Sequence, residues 1–359
     1  MNPNNPPYRI AVVGAGAVGG FVGGRLAAAG YDVTLIDAWR EHVDAIRSNG
    51  LTIMVPDEEL SISLPALHVD DVTSLGEGAL DIVFICVKLY DTEWATSLVL
   101  PYLKASGCVV TLQNGLVESV VASRVGWDRT LGCIGSGMYV ALEAPGRIRR
   151  SKRSVKNGPC VFYVGEAKGL RSERVDVIVS MLSNVDTSKA TDNLWGLRWA
   201  KLVANTMTSG FSAAIGVGLK HAFGDRVCCR IMLRLAAEAI EVGAALGYDT
   251  EEIFGRKPDV WRRANAGDTA ALADVSTIMH TQYETVTQGA FSGTFQDLKK
   301  GKRTEVEFMN GFVAQKGNDV GVSTPMHAEV ARIIRLIEDG RAVPGAAQLR
   351  TLESVLAAH

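Results

Sequence analysis

The sequence of 359 residues lacks a long apolar run, an excess of one charge and an ordered set of cysteines. No apolar run reaches the roughly 20 residues needed to span a membrane, and the first seven residues lack the charged start and apolar core of a signal peptide. The formal net charge of −2 gives no argument for a nucleic-acid or membrane partner. These absences predict a cytoplasmic protein.

The six cysteines are scattered and include no C-x-x-C pair. Neither a disulfide framework nor a metal site is therefore predicted, and we expect the cysteines to be reduced residues of the core. The only dense basic run covers residues 147–153, and it is expected to be a solvated loop or a strand edge.

The sequence does contain a glycine-rich turn directly after its first apolar strand. Residues 8–13 lead into the turn Gly14-Ala15-Gly16-Ala17-Val18-Gly19, which is followed by a helix of small residues. In this pattern the first glycine permits a tight bend, the second lets a pyrophosphate approach the backbone, and the third allows close helix packing. The N-terminus of the helix favours an anion. The stretch predicts a dinucleotide site of the Rossmann type.

Asp37, at the end of the second predicted strand, distinguishes between cofactors. A carboxylate at this position accepts the ribose hydroxyls of NAD and repels the 2′-phosphate of NADP, so NAD is favoured. Arg40 lies close enough behind Asp37 to bind that phosphate, which leaves NADP open. Arg47, further along the same helix, is interpreted as a solvated charge.

Strands and helices alternate through the first half of the chain. Residues 81–88 read as a buried parallel strand, 92–103 as a helix and 108–112 as the next strand, whereas the stretch 55–59 reads as a polar loop. Strands around 131–140 and 160–164 are expected to extend the sheet in the antiparallel sense, because the loops before them look too short for crossover helices.

From Asp192 onward the apolar residues take helical spacing. Thr324 followed by Pro325 predicts a helix start with a capping hydroxyl, and the apolar helices between Ile231 and Tyr283 offer a homodimer interface. The fold class is thus α/β, with a dinucleotide-binding domain over 1–191 and an all-helical substrate and catalytic domain over 192–359. Substrate is expected in the cleft between the two.

Four polar residues stand where chemistry is expected, and each has two interpretations. Lys201 and Asn205 project from one helical face that is otherwise apolar. Such a lysine either reaches out to solvent or lies in a partly desolvated cleft, where its pKa falls and it donates a proton near neutrality. Asn114 either caps the turn after its strand or lines a site, and Glu305 is either a helix N-terminal carboxylate or a site residue.

These residues belong to motifs that together resemble the ketopantoate reductases over roughly residues 8–340. Besides the glycine turn, the motifs are Val87-Lys88, Leu112-Gln113-Asn114-Gly115, Trp199-Ala200-Lys201-Leu202-Val203-Ala204-Asn205, and Gln296-Asp297-Leu298 with Arg303-Thr304-Glu305. The resemblance implies a nicotinamide cofactor that reduces the 2-oxo group of ketopantoate to give D-pantoate.

The resemblance also implies a role for each matching residue. Lys201 matches the catalytic lysine that donates the proton, and Glu305 matches the acid that assists it. Lys88 and Asn114 match positions that line the nicotinamide and substrate cleft, and Asn205 matches a substrate-binding asparagine.

Two substrate positions depart from the family pattern. Ser209-Gly210 stands where the family has asparagine followed by proline, and Gly293 stands where a substrate-binding serine is expected. Ser209, Ser292 and Thr294 are the candidates to supply the missing contacts. A site that binds its substrate through hydrogen bonds discriminates strongly when one partner is absent. The motifs therefore predict the class of reaction, whereas the identity of the 2-oxo acid stays open.

Three alternatives remain open from the sequence. One is a related dehydrogenase for a different 2-oxo or 2-hydroxy acid or an opine-type substrate, although such enzymes usually rely on a histidine and no histidine here lies in a family motif. Another is a non-catalytic nucleotide-sensing protein, against which the joint presence of Lys201, Asn205 and Glu305 argues. The third is an FAD protein, because a carboxylate after the second strand also suits an adenosine ribose.

Overall fold

The computed structural model describes residues 8–56, 58–153 and 158–359. The chain forms two compact units, Met1–Leu194 and Trp195–His359. The expectations about the first seven residues, and the part of the 55–59 stretch at residue 57, lie outside the described residues.

The first unit contains an eight-stranded sheet in the order β12-β11-β8-β7-β6-β1-β2-β5. Its strands are β1 (Arg9–Val13), β2 (Asp32–Asp37), β5 (Ala66–His68), β6 (Leu80–Ile85), β7 (Leu103–Thr111), β8 (Thr130–Gly135), β11 (Phe162–Glu166) and β12 (Ser188–Ala190). The helices of this unit are α1 (Ala17–Ala28), α2 (Arg40–Asn49), α3 (Thr92–Val99), α4 (Glu118–Val125) and α5 (Glu173–Leu182).

The central strands of this sheet are buried on both faces. Along β1, Ile10 and Val12 belong to one apolar cluster, whereas Ala11 and Val13 belong to another on the opposite face. This alternation is the period of two that a strand imposes on its side chains. Because both faces are covered, the strands read as continuous apolar runs, and the predicted α/β class with a parallel sheet is confirmed.

The direction predicted for β8 was wrong. It pairs parallel to β7 and antiparallel to β11, which was predicted to be antiparallel. The crossover that makes this possible is α4, a helix of eight residues in the stretch that seemed too short to hold one. The segment predicted as one helix over 92–103 also divides, because α3 ends at Val99 and β7 begins at Leu103.

A second sheet of four strands was missed. Its order is β4-β3-β10-β9, formed by β3 (Leu51–Val55), β4 (Glu58–Ile62), β9 (Val140–Ala144) and β10 (Arg147–Arg150). In the polar stretch 55–59, Val55 is the last residue of β3 and Glu58 is the first of β4, and the two residues pair across an antiparallel ladder.

The basic run starts in this second sheet and is not simply solvated. β10 is an inner strand, flanked by β3 and β9. Arg149 faces outward, but Arg150 is buried, forms an ion pair with Asp186 at 2.5 Å and lies over the ring of Phe21. A buried guanidinium requires such a partner, so the charge of Arg150 belongs to the interior of the unit and not to its surface.

The glycines of α1 are explained by its position between the two sheets. A Cβ atom at Gly23 would meet Leu35 of the large sheet at 2.5 Å, and one at Gly24 would meet Leu51 of the second sheet at 2.7 Å. Residues without side chains are needed for this close approach on both sides.

The second unit is helical, as predicted. Its helices are α6 (Leu194–Asn205), α7 (Phe211–Ile215), α8 (Leu219–Gly224), α9 (Arg226–Ala245), α10 (Pro258–Asn265), α11 (Thr269–Thr285), α12 (Gly293–Lys299), α13 (Asn310–Val320), α14 (Pro325–Glu338) and α15 (Ala346–Ala358). Among the described residues, no helix combines the length and apolarity needed to cross a membrane.

Helix α14 begins at Pro325 as predicted, but its cap differs from the one expected. The hydroxyl of Thr324 makes no capping hydrogen bond. Instead, the buried carboxylate of Glu238, on α9, accepts the backbone N–H groups of Met326 and His327, each at 3.2 Å. The carboxylate thus satisfies two of the orphan donors of the first turn, and its negative charge is favoured at a helix N-terminus.

Candidate functional site

The glycine turn has the geometry that a bound dinucleotide requires. Gly14 adopts a φ of +91°, and a Cβ there would lie 2.7 Å from the backbone of Val87. A Cβ at Gly19 would lie 2.0 Å from the carbonyl oxygen of Gly14, so the helix can start here only with glycine. Around Gly16, by contrast, a Cβ would meet no atom within 4 Å. A side chain would therefore clash at Gly14 and at Gly19, whereas the space beside Gly16 is free and can hold a pyrophosphate.

Asp37 is tied directly to this turn. Its Oδ2 accepts the backbone N–H of Ala15 at 2.7 Å, and its Oδ1 accepts the backbone N–H of Trp39 at 2.8 Å. Each carboxylate oxygen retains a further lone pair, because an ionised carboxylate has about four acceptor positions. The side chain is therefore held in one orientation and can still accept ribose hydroxyls.

The two arginines near Asp37 are engaged with other carboxylates. Arg40 donates to Nδ1 of His68 at 2.8 Å and to Oδ2 of Asp70 at 3.0 Å. Arg47 donates to Oδ2 of Asp71 at 2.9 Å, and this contact lowers the pKa of the Asp71 carboxyl. A 2′-phosphate would have to compete with these partners for either guanidinium.

Sequence reasoning missed a buried histidine beneath the turn. His42 donates from Nε2 to the carbonyl oxygen of Ala15 at 2.9 Å, while its Nδ1 accepts the backbone N–H of Gly146 at 2.9 Å. The half-exposed indole of Trp39 stacks on the imidazole ring at a centroid distance of 5.6 Å. The sequence marks His42 by its place on the apolar face of α2, and that place does not distinguish a histidine packed in the core from one that supports the glycine turn.

The other sequence-predicted residues of this unit lie at the ends of β6 and β7. Lys88 is half-buried after β6, and Asn114 is exposed after β7. Gln113, which is buried between them in the fold, donates to the carbonyl oxygen of Val87 at 2.9 Å and to the hydroxyl of Thr92 at 2.8 Å. Its amide joins the two strand ends, so Lys88 and Asn114 belong to the same end of the parallel sheet.

Helix α6 carries Lys201 and Asn205. Trp199 fixes this helix to α9, since its Nε1 donates to the carbonyl oxygen of Ala239 at 2.8 Å and its ring fills the space that a side chain at Gly243 would need. Lys201 is half-buried. The amide Nδ2 of Asn205 is buried and has no hydrogen-bond partner among the described residues. Buried polar groups are normally paired, so Asn205 is a donor available to a ligand.

The chain continues from Asn205 into a π-helical turn, Thr206–Gly210, before α7 begins. Such turns are rare and occur frequently at functional sites. Ser209 lies in this turn, and its carbonyl oxygen accepts hydrogen bonds from the hydroxyls of Ser292 at 3.1 Å and Ser212 at 3.3 Å.

Ser292 differs from the open substrate contact that was expected. Its side chain is buried, because it caps α12 by accepting the backbone N–H of Phe295 at 3.2 Å while donating to Ser209. Gly293 is exposed, and a Cβ there would meet nothing within 4 Å. Thr294 is half-buried in the first turn of the same helix.

Glu305 is half-buried between two buried residues, Thr304 and Val306. The segment is held to α14, because Oε1 of Glu338 accepts the backbone N–H of Thr304 at 2.6 Å. The second unit therefore presents a lysine, an asparagine and a carboxylate on anchored elements. This is a set of groups suited to stabilise and protonate a developing oxyanion.

Two sequence models of one family match the chain. They are "Ketopantoate reductase PanE/ApbA" over residues 10–160 and "Ketopantoate reductase PanE/ApbA C terminal" over residues 193–338. The chain is 27% identical to the 2-dehydropantoate 2-reductase of Archaeoglobus fulgidus over 334 residues, which is 92% of this chain and 98% of that protein. It is 28% identical to that of Halobacterium salinarum, with 92% and 99% covered.

Solved structures give the same picture of the fold. A PanE/ApbA family ketopantoate reductase from Ralstonia eutropha matches with a TM-score of 0.76 at 25% identity, covering 93% of this chain and 99% of that one. A ternary structure of D-mandelate dehydrogenase with NADH and anilino(oxo)acetate also matches with a TM-score of 0.76, at 21% identity and with 93% and 99% covered.

Proposed function

Because this chain belongs to the ketopantoate reductase family, we propose that it catalyses the NAD(P)H-dependent reduction of a 2-oxo acid to a 2-hydroxy acid, with ketopantoate as substrate and D-pantoate as product. The proposal is supported by curated relatives named 2-dehydropantoate 2-reductase along nearly the whole chain. The chain is then an oxidoreductase in which residues 1–191 bind the dinucleotide and residues 192–359 supply the substrate and catalytic groups.

We propose that the turn from Gly14 to Gly19 holds the pyrophosphate and that Asp37 holds the adenosine ribose. The open side of Gly16 and the fixed carboxylate of Asp37 support this assignment. A bound reduced nicotinamide supplies the hydride. Ala15, Ala17 and Val18 contribute backbone to the same turn, and Lys88 and Asn114 are assigned to the cofactor at the nicotinamide end, where Asn114 also faces the substrate.

We propose a preference for NADH over NADPH. Asp37 would repel a 2′-phosphate, and the guanidinium of Arg40, the residue best placed by sequence to bind one, already contacts Asp70 and His68. Binding of NADP would require Arg40 to leave these partners.

The proton donor in this proposal is Lys201. As the carbonyl carbon is reduced, negative charge grows on its oxygen, and an ammonium aimed at that oxygen stabilises the transition state more than the ground state. Glu305 assists by holding the ammonium or accepting a substrate hydroxyl. The place of Lys201 on α6, one helical turn before Asn205 and half-buried, supports this role.

Substrate recognition is assigned to the π-helical turn and its neighbours. Asn205 offers a buried donor without a partner among the described residues, and this observation carries the assignment. Ser209 and Thr294 are proposed as direct contacts. Ser292 is proposed to contribute through its hydrogen bond to Ser209, because its hydroxyl is occupied on both sides.

The experiment that tests the function is a spectrophotometric assay with NADH and NADPH, each combined with ketopantoate and a panel of other 2-oxo acids. We expect oxidation of NADH to be fastest with ketopantoate. Nucleotide binding without turnover of any 2-oxo acid would contradict the proposal and favour a nucleotide sensor, and a yellow purified protein would favour FAD.

Two further assignments complete the proposal. The cytoplasm is proposed as the location. A homodimer built on the helices between Ile231 and Tyr283 is proposed as the assembly, and sedimentation equilibrium would test it.

A further inference from the structure

Two hydroxyls of the π-helical turn after Asn205 donate to carbonyl groups in the last turn of α6. The hydroxyl of Thr206 donates to the carbonyl oxygen of Val203 at 3.2 Å, and that of Thr208 donates to the carbonyl oxygen of Ala204 at 2.7 Å. A π-helical register weakens the regular i to i−4 ladder, so these hydroxyls satisfy oxygens that the backbone serves poorly.

A buried amide from another helix binds the same turn. Asn310, the first residue of α13, has no exposed surface, and its Nδ2 donates to the carbonyl oxygen of Thr206 at 3.1 Å and to Nδ1 of His327 at 3.2 Å. Both hydrogens of this amide group are therefore used. Thr206, the residue directly after Asn205, is therefore hydrogen-bonded by a side chain of a different helix.

His327 fixes the orientation of that amide. Its Nε2 donates to the carbonyl oxygen of Leu235 at 2.9 Å, which leaves Nδ1 as the acceptor for Asn310. The ring is fully buried on α14, where burial lowers its pKa to about 4, and it remains neutral at physiological pH. In this arrangement both ring nitrogens of His327 and the amide nitrogen of Asn310 form hydrogen bonds, so the orientation of the amide is determined.

Gly210 lies directly against this amide group. A Cβ at Gly210 would lie 2.2 Å from Oδ1 of Asn310, which is buried against the turn without a partner among the described residues. Leaving a buried oxygen unpaired has a cost, and a native protein accepts such a cost where the group serves a positional need.

We propose that Asn310 and His327 are positioning residues for substrate binding, which act by holding the π-helical turn so that Asn205 presents its free donor to the 2-oxo acid. The proposal rests on the proposed function, because it names how the substrate-binding asparagine of that site is held. The turn from Gly14 to Gly19 and Asp37, which are proposed to bind the dinucleotide, belong to the other unit of the chain, so the affinity for NADH is expected to be independent of both residues.

The first test is a double-mutant cycle on Asn205 and Asn310. We expect N205A to raise KM for the 2-oxo acid about a hundredfold and N310A to raise it about tenfold, since loss of precise placement alone has effects of this order. If Asn310 acts through Asn205, the double variant is at most about twofold worse than N205A. Multiplying effects would overturn the proposal, and so would an N205A variant with unchanged KM.

The second test separates positioning from loss of stability. V313A removes buried volume from the same helix but leaves the side chains of Asn310 and His327 in place, because Val313 is fully buried three residues after Asn310. H327Q retains a donor for Leu235 and an acceptor for Asn310, whereas H327F retains neither. We expect H327F to raise KM about tenfold, and H327Q and V313A to stay within about threefold of the wild type, with an unchanged Kd for NADH throughout.

A measurement without turnover completes the test. We expect amide hydrogen exchange of residues 205–211 to accelerate in N310A and H327F but not in V313A. Equal exchange in all three variants would overturn the positioning role even if the wild type reduces ketopantoate. Absence of turnover by the wild type with every 2-oxo acid would instead overturn the proposed function.

Discussion

The carboxylate of Asp37 accepts the backbone N–H of Ala15 at 2.7 Å, which joins the end of the second strand to the glycine turn. Replacing Asp37 by alanine removes this anchor together with the acceptor for the ribose hydroxyls. We expect Kd for NADH to rise about tenfold to a hundredfold, as for the loss of hydrogen bonds to a charged group. Fluorescence titration with NADH and NADPH measures both affinities.

The control for the Asp37 variant is Arg40→Ala. Because Arg40 is paired with Asp70 and His68 rather than placed for a phosphate, this change should leave the NADH affinity within about twofold. A wild-type enzyme that binds NADPH more tightly than NADH, and loses that preference in Arg40→Ala, would contradict the assignment of cofactor preference.

Replacing Lys201 by alanine should lower kcat by about 10²-fold to 10⁴-fold, because charge stabilisation and proton donation are lost together. NADH binding should be unchanged. Lys220→Ala is the matched control in the same unit, since Lys220 lies over the ring of Tyr283, at 4.6 Å from its centroid, and has no proposed role. An unchanged kcat in Lys201→Ala would remove the lysine from the mechanism.

Replacing Gly293 by serine should restore a substrate hydrogen bond. The structure has room for the side chain, since a Cβ there meets nothing within 4 Å. We expect KM for ketopantoate to fall about threefold to tenfold and KM for a 2-oxo acid without a hydroxyl to stay constant, because the added hydroxyl needs a polar partner. Gly293→Ala adds the carbon without the hydroxyl, and an equal fall in that variant would attribute the gain to volume.

Acidification should destabilise the protein through His327. Burial lowers its pKa from 6.5 to about 4, so between these values the unfolded chain binds a proton that the folded one does not. Stability conferred by the neutral ring is complete above pH 6.5 and falls as the pH drops, by about 3 kcal/mol once pH 4 is reached. Urea unfolding from pH 4.5 to 7.5 measures this slope.

The same slope should be absent from H327Q, which has no titrating ring. Glu238 of α9 accepts the backbone N–H of His327 and is paired with Arg234, and both residues remain in both proteins, so the difference between the two curves isolates the histidine. Burial raises the pKa of the Glu238 carboxyl, which by itself gives a slope of opposite sign. Parallel curves for the wild type and H327Q would contradict the prediction.

The sequence predicted those parts of the fold that have a local signal. The glycine turn, the buried parallel strands and the helical second half follow from periodicity and turn chemistry over short windows. The direction of β8 did not, because it depends on α4, a crossover helix of only eight residues. The second sheet was missed for a related reason: β10 pairs with β3, which lies about a hundred residues earlier in the chain.

The polar network of the second unit was equally hidden. Glu238 caps α14 across 88 residues of sequence, and Asn310 reaches Thr206 across 104. Neither residue stands in a recognisable motif, and an isolated polar residue on an apolar helix face has no local feature that names its partner. Lys201, Asn205 and Glu305 were singled out by local signals, namely a shared helical face for the first two and motifs for all three.

Gly210 and Asn310 restrict the evolutionary paths open to this protein. Since a β-carbon at position 210 would lie 2.2 Å from the amide oxygen of Asn310, mutation of the glycine requires the side chain at position 310 to move or to become smaller. The two sites should therefore covary among relatives, with proline at the first accompanied by a short side chain at the second.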